Sequence, residues 1–341
     1  MTPRPAPQHR EIEFRTSGHT GTPERWVRTE DQLHSEALLI AGNVIGELDQ
    51  VVTFAPPEHL YGRLFGDVLP RLRGIPVQRL YDDAVRLPDL SHRVRTLFVC
   101  LPSSWLLLRR MVDRIGGLPG VVALHGAGPT TPATARVVAE LAGADFRAVE
   151  LFGATETGGV AYREIGGSAA EAPWRLLPDV ELVIEGPLGS TQLLHVRSPR
   201  LARRVGSRSA PRSFRLQDVV RVVDERHFAH LGRTTRLVKV NGRRCNLDAI
   251  EEAARAALGT DVACLALRDP VRGEHYELFY DCRAGALRDG EVWRRLSAGL
   301  AGDAVPRAVH AVVRIARTPT GKVKLDQLYA GVRASAGGEV P

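Results

Sequence analysis

The sequence predicts an α/β protein in three parts: an α/β domain with a largely parallel sheet, an antiparallel β subdomain, and a small α+β unit at the C-terminus. Three observations carry this. Over residues 14–160 apolar runs alternate with helical stretches, the rhythm of strand–helix–strand units. From 172 to 231 the texture changes to brief strands separated by turns such as Gly186-Pro187 and Pro199-Arg200. After Gly232 helices and strands alternate again to the end of the chain.

Taken in order, residues 1–13 open on a Pro-rich polar stretch without an apolar signal region and are expected to form a disordered arm. Residues 32–46 and 132–142 have helical periodicity, and 51–55, 96–101 and 121–125 are short apolar runs that suit buried strands. In the β subdomain strands are expected at 180–185, 192–197 and 219–223, with 203–215 a basic loop. The last part begins with a strand or hairpin over 236–246. A helix follows over 247–258, opened by Asn246 or Asp248, with Glu251 and Glu252 in its first turn. Strands near 262–268, 276–282 and 309–315 and a helix near 289–301 complete it, and 332–341 is a tail.

Composition is that of a globular chain with 44% apolar and 25% charged residues, and no apolar run approaches the length of a membrane span. Cys100, Cys245, Cys264 and Cys282 form no close pair and no metal spacing, so free thiols in a reducing cytoplasm are expected. Net charge is +7, and the stretch from Gly232 on has 18 basic against 13 acidic residues. An acidic partner or simply solvated arginines fit this surplus; no aromatic interleaving points to nucleic acid. Of 46 basic residues only Lys239, Lys322 and Lys324 are lysine. A compact ammonium suits contact with one oxygen in a tight space, where a guanidinium fork does not fit.

Two short segments have the chemistry of a phosphate site. Thr16-Ser17-Gly18-His19-Thr20-Gly21-Thr22-Pro23 combines glycines, which let backbone N–H groups turn toward an anion, with hydroxyl donors. Phe152-Gly153-Ala154-Thr155-Glu156 follows an apparent strand and sets an aromatic ring, a hydroxyl and a carboxylate close together. Each alone also suits an ordinary turn or helix start.

Their order along the chain is more specific. After the first loop come Glu58-His59-Leu60-Tyr61-Gly62, Gly126-Ala127-Gly128-Pro129, the Phe152 segment, Asp218, Gly232-Arg233 with Lys239 and Gly242-Arg243, and Thr320-Gly321-Lys322. This series resembles the AMP-forming adenylating enzymes: acyl-CoA synthetases, adenylation domains and firefly luciferase. The resemblance covers residues 14 to about 330.

The resemblance implies a nucleotide-binding α/β core over 14–232 and a small mobile lid over 233–331. It implies ATP and Mg²⁺ as cofactors and a carboxylic acid as substrate. Thr16, Ser17, Gly18, His19, Thr20 and Gly21 would hold the β- and γ-phosphates. Gly126, Ala127, Gly128 and Phe152, with Gly153 and Ala154 beside it, would flank the adenine. Thr155 and Glu156 would serve the α-phosphate and Mg²⁺, and Asp218 with Arg233 the ribose. His59 would border the acid's carboxylate. Lys322 would bridge carboxylate and α-phosphate, and Lys239 would serve the second half-reaction after rotation about Thr235. The acyl acceptor would be coenzyme A or the phosphopantetheine arm of an acyl carrier protein. A nucleotide-binding homologue without turnover and an enzyme with a non-thiol acceptor remain alternatives.

Three departures stand out. Glu24 occupies the position of the family's lysine, leaving Arg25 or Arg28 to reach the phosphates. The usual Thr-Gly-Asp is Leu216-Gln217-Asp218. The phosphate loop starts at residue 16, so the family's N-terminal lobe is expected to be missing, as in short members from polyketide and aryl-polyene pathways. A homodimer is one way to complete the acyl pocket.

Overall fold

The computed structural model describes residues 10–328 apart from 16–23, 83–85, 91, 167–171, 241–242, 270–272, 284, 286–287, 301–304, 319–322 and 325–326. The first element is a hairpin of β1 (Glu11–Arg15) and β2 (Arg25–Thr29). Residues 11–13 of the expected arm are therefore strand, and residues 1–9 lie outside the described residues. Alternation of Glu11, Ile12, Glu13 and Phe14 gives β1 one apolar face, and Phe14 is buried. Its strand partner lies across the glycine-rich loop, so local reading did not find the pair.

Thr29 then caps α1 (Glu30–Ile40). Its hydroxyl accepts from Gln32 N at 3.2 Å and the Gln32 side chain accepts from Thr29 N at 3.1 Å, a reciprocal capping box. Leu33, Glu36, Ala37 and Ile40 form the buried face at helical spacing. The helix runs on as a π-helical turn, Ala41–Ile45, which accounts for the expected extent to 46.

Among the described residues an eleven-stranded sheet forms the centre. Its first half holds β3 (Gln50–Thr53), β4 (Val77–Arg79), β5 (Thr96–Cys100), β6 (Val121–His125) and β7 (Phe146–Ala154), ordered β4-β3-β5-β6-β7 and all parallel. Every residue of β3, β5 and β6 is buried, as expected of parallel strands covered on both faces. The connections include α2 (Leu60–Arg63), α3 (Leu69–Arg73), α4 (Trp105–Arg109), α5 (Val112–Gly116) and α6 (Pro132–Glu140). Beyond β7 the sheet turns antiparallel with β8 (Gly158–Glu164) and β9 (Trp174–Leu176).

The later strands are β10 (Glu181–Leu182), β11 (Thr191–Arg197), β12 (Arg203–Arg204), β13 (Phe214–Val222) and β14 (His227–Arg233). β10 is shorter than the expected 180–185: Val183 N still donates to His195 O at 2.8 Å, but beyond it the Gln192 side chain takes over, accepting from Glu185 N at 2.9 Å and donating to Val183 O at 2.7 Å. Within the expected basic loop, β12 adds to β2 as the edge of a separate small sheet.

Contacts divide the chain into two units, residues 1–216 with 221–229, and 217–220 with 230–341. The second contains the hairpin β15 (Leu237–Val240) and β16 (Arg243–Asn246), then α7 (Leu247–Leu258). The sheet of β17 (Val262–Asp269), β18 (Gly273–Asp281) and β19 (Ala308–Val312) follows, with α8 (Asp289–Gly299) between the last two. Asn246 is the N-cap of α7, accepting from Asp248 N at 2.9 Å. Glu251 is not a solvent-facing dipole partner. It accepts from Cys264 N at 2.6 Å and from Arg236 Nη2 at 2.5 Å. Among the described residues no helix is long and apolar enough to cross a membrane, and all four cysteines are free.

Candidate active site

The end of β6 is fixed by a buried histidine. Trp105 Nε1 donates to His125 Nδ1 at 2.9 Å, and an indole nitrogen can only donate. Nδ1 is therefore the acceptor, Nε2 carries the hydrogen, and that hydrogen goes to Gly128 O at 2.9 Å. Burial lowers the His125 pKa from its ordinary 6.5, which favours this neutral form. Gly126, Ala127 and Gly128 are thus held by a histidine, and Ala127 takes a left-handed backbone with φ 64°. Nothing in the sequence reading singled out His125 or Trp105.

Tyr61 links the next motif to this one. Its hydroxyl donates to Leu124 O at 2.6 Å, and its ring lies so close that a Cβ on Gly126 would meet it at 2.8 Å. Gly62 has no room for a side chain either, since a Cβ would sit 2.1 Å from Pro56 O. The glycines at 62 and 126 are packing requirements that bring the two motifs together. His59, just before α2, lines a recess of about 340 Å³ with residues 12–15, Pro57, Glu58 and Arg63. His59 thus shares this recess with Arg15, the last described residue before the glycine-rich segment. Thr16, Ser17, Gly18, His19, Thr20 and Gly21 themselves lie outside the described residues.

At the end of β7 the register with β8 shifts between Phe152 and Gly153, and the chain turns back sharply. Thr157, fully buried, accepts from Ala154 N at 3.2 Å and donates to Gly158 O at 2.9 Å. This closes the turn that carries Thr155 and Glu156. Phe152 packs edge-on against Trp174 and Phe228, with centroids 5.3 and 6.0 Å apart. Glu156 O accepts from Ala202 N at 2.8 Å.

Behind this turn lies a buried charge cluster. Arg28 and Glu36 have no exposure and Arg200 has 2%. Glu36 Oε1 accepts from Gly159 N at 2.6 Å, while Oε2 approaches Arg28 Nη2 at 2.6 Å out of hydrogen-bond alignment. Arg200 Nη1 is 3.3 Å from Glu36, and the same guanidinium makes a two-point contact with Asp179 at 2.6 and 2.8 Å. Arg28 Nη2 donates to Arg200 O at 2.9 Å. Arg28 is thus sealed inside the fold, which corrects the expectation that it reaches phosphates. Arg25 pairs with Glu13 on the neighbouring strand. Glu24 is met by Arg204 at 2.7 Å, so its carboxylate has a counter-charge.

In the second unit Asp218 is 3% exposed. His230 Nε2 bonds its Oδ1 at 2.9 Å, and Arg233 Nε stands 3.4 Å from the same oxygen. Thr234 Oγ1 donates to Gln217 Oε1 at 2.8 Å, tying the strand to the residue after Arg233. Lys239 lies in β15 opposite Arg244, and its side chain is outside the described residues. Lys322 also lies outside them. Among the described residues no group of three His, Cys, Asp or Glu stands ready to hold a metal.

No family model matches the chain. It is similar to a 4-coumarate–CoA ligase of Rhodobacter capsulatus, 28% identical over 306 residues, 87% of this chain and 70% of the relative. It is also similar to one of Cereibacter sphaeroides, 28% identical over 243 residues and 70% of this chain; the match spans about half (52%) of that relative's length. Among solved structures, ATP-bound MatB from Rhodopseudomonas palustris superposes with TM-score 0.75 at 21% identity, covering 93% of this chain and 67% of the other. An o-succinylbenzoate coenzyme A synthetase from Bacillus subtilis with ATP and magnesium gives 0.73 at 17% identity, covering 93% and 69%. The fold, the order of the motifs and these relatives agree in one likeness: along most of its length the chain resembles the AMP-forming adenylating enzymes.

Proposed function

We propose that the protein activates a carboxylic acid with ATP and passes the acyl group to a thiol, that of coenzyme A or of an acyl carrier protein, in a biosynthetic pathway. The observation that carries this most directly is Asp218, whose Oδ2 is buried with no hydrogen-bond partner among the described residues. A buried carboxylate oxygen without a donor is costly unless a ligand supplies one, and a ribose hydroxyl is such a donor.

In the first step a carboxylate oxygen of the acid attacks the α-phosphorus of ATP. The bond to the bridging oxygen breaks and pyrophosphate leaves. Residues 16–21 would hold the β- and γ-phosphates, and Gly126, Ala127, Gly128 and Phe152 would flank the adenine. His59 would border the acid's carboxylate. Lys322 would stand between the two anions and offset the charge that develops as they meet. Thr155 and Glu156 would serve the α-phosphate end. One carboxylate suits Mg²⁺, which takes few protein oxygens and completes its shell with phosphates and water; when bound it neutralises phosphate charge. In the second step a thiolate attacks the acyl carbonyl and AMP leaves, after rotation about Thr235 brings Lys239 to the site. The names of the relatives support coenzyme A as acceptor, and the basic C-terminal third suits any acidic acceptor.

ATP–pyrophosphate exchange over a panel of carboxylic acids tests the first step. Repeating it with coenzyme A and with a carrier protein tests the second. Exchange with at least one acid is expected; nucleotide binding without exchange on any acid would overturn the reading.

A further inference from the structure

We propose that His230 is a positioning residue that turns Asp218 so that it offers a nucleotide one unshared oxygen, and thereby sets which ribose hydroxyl the protein reads more strongly. This rests on the nucleotide reading above. Among the described residues, both polar approaches to the Asp218 carboxylate fall on one side. His230 Nε2 bonds Oδ1 at 2.9 Å and Arg233 Nε adds its charge to that oxygen from 3.4 Å, outside hydrogen-bond geometry. Oδ2 is buried and has no hydrogen-bond partner among the described residues.

A carboxylate only accepts, so the hydrogen in this pair belongs to Nε2 whether the imidazole is neutral or charged. The contact therefore persists across neutral pH and fixes the carboxylate's rotation. The strand is held as well, since Gln217 is bonded by Thr234 at 2.8 Å. A freely turning carboxylate can take the 2′- and 3′-hydroxyls with one oxygen each. With His230 and the Arg233 charge already on Oδ1, the hydroxyl that reaches Oδ2 finds an unshared acceptor, while the other must share Oδ1 through its second lone pair and gains less. The pairing is not a feature of the nucleotide motif as the sequence displays it, because His230 sits among strand residues with no motif of its own.

Calorimetric titration with magnesium salts of ATP, 2′-deoxy-ATP and 3′-deoxy-ATP tests this. For the wild type one deoxy analogue is expected to bind at least ~10-fold more weakly than ATP, and the other within ~3-fold. In His230→Phe, which keeps a planar ring without a donor, the two analogues should fall within ~3-fold of each other. In His230→Gln, which keeps an N–H, the discrimination should return. Equal affinity of the wild type for both analogues overturns the proposal, even if His230→Phe does not fold. Unchanged discrimination in a folded His230→Phe overturns it too. Failure of the wild type to bind ATP at all would instead sink the nucleotide reading.

Discussion

Glu36 is the residue whose loss the buried cluster feels most. It faces Arg28 at 2.6 Å and Arg200 at 3.3 Å and accepts from Gly159 N. At an effective dielectric of 20 the Arg28 attraction alone is about 6 kcal/mol gross. Desolvating the two ions costs several kcal/mol each, so the intact pair adds little net stability. Removing one partner is different. Asp179 already holds Arg200 with two hydrogen bonds, but Arg28 would keep no carboxylate, only Arg200 O. Glu36→Ala should therefore cost about 3–5 kcal/mol, the range for breaking a buried ion pair, with the orphaned Gly159 N–H inside that figure. The double variant Arg28→Met/Glu36→Leu removes both charges and should recover at least half of the loss. Urea unfolding followed by tryptophan fluorescence measures both, since Trp26 and Trp174 are buried in the same unit. A cost below about 1 kcal/mol for Glu36→Ala would refute the reasoning, as it would mean that water reaches the cluster.

Lys322→Ala should lower pyrophosphate exchange by ~100-fold or more with little change in ATP affinity, and Lys322→Arg should also be poor, because a fork does not replace a point charge; exchange within threefold of wild type removes the assignment. His125 gives a pH dependence. Burial lowers its native pKa below the ordinary 6.5, so below pH 6.5 the unfolded chain takes a proton that the folded one refuses. Stability should be full above pH 6.5 and fall by up to about 1.4 kcal/mol per unit as pH drops from there toward the lowered native value; a His125→Gln variant with the same slope in urea titrations at each pH contradicts this. Thr235→Pro should keep adenylation and lose thioester formation, since proline fixes φ and blocks one of two backbone states; measuring the half-reactions separately decides, and a joint loss of both discards the hinge.

The sheet and the order of the site motifs were legible because both are written locally. The runs at 96–101 and 121–125 are unbroken apolar stretches, and α7 is bracketed by Asn246 and the left-handed Gly259. The supports of the site were not. Arg28, Glu36 and Arg200 look like solvated charges in a chain with so many arginines, and they become a buried cluster only when β2, α1 and the segment after β11 meet. His125 sits in an apolar run with nothing to mark it until Trp105 is seen to reach Nδ1 across 20 residues. The strand at 11–15 needs a partner on the far side of the glycine loop.

The clamps on either side of Thr235 have a mechanical consequence. Leu231 O is held by Asn246 Nδ2 at 3.2 Å, and Arg236 grips Asp248 at 2.8 Å, Glu251 and Cys264 O at 2.7 Å, all in the second unit. These are two bolts on one plate, and only residues 232–235 lie between them. Gly232 already stands at φ 115° against Asn246, where a Cβ would come within 2.5 Å of the amide. Because both bolts belong to the second unit, a rotation of that unit about Thr235 would first have to release Leu231 O from Asn246, so this single bond would be the latch of such a hinge.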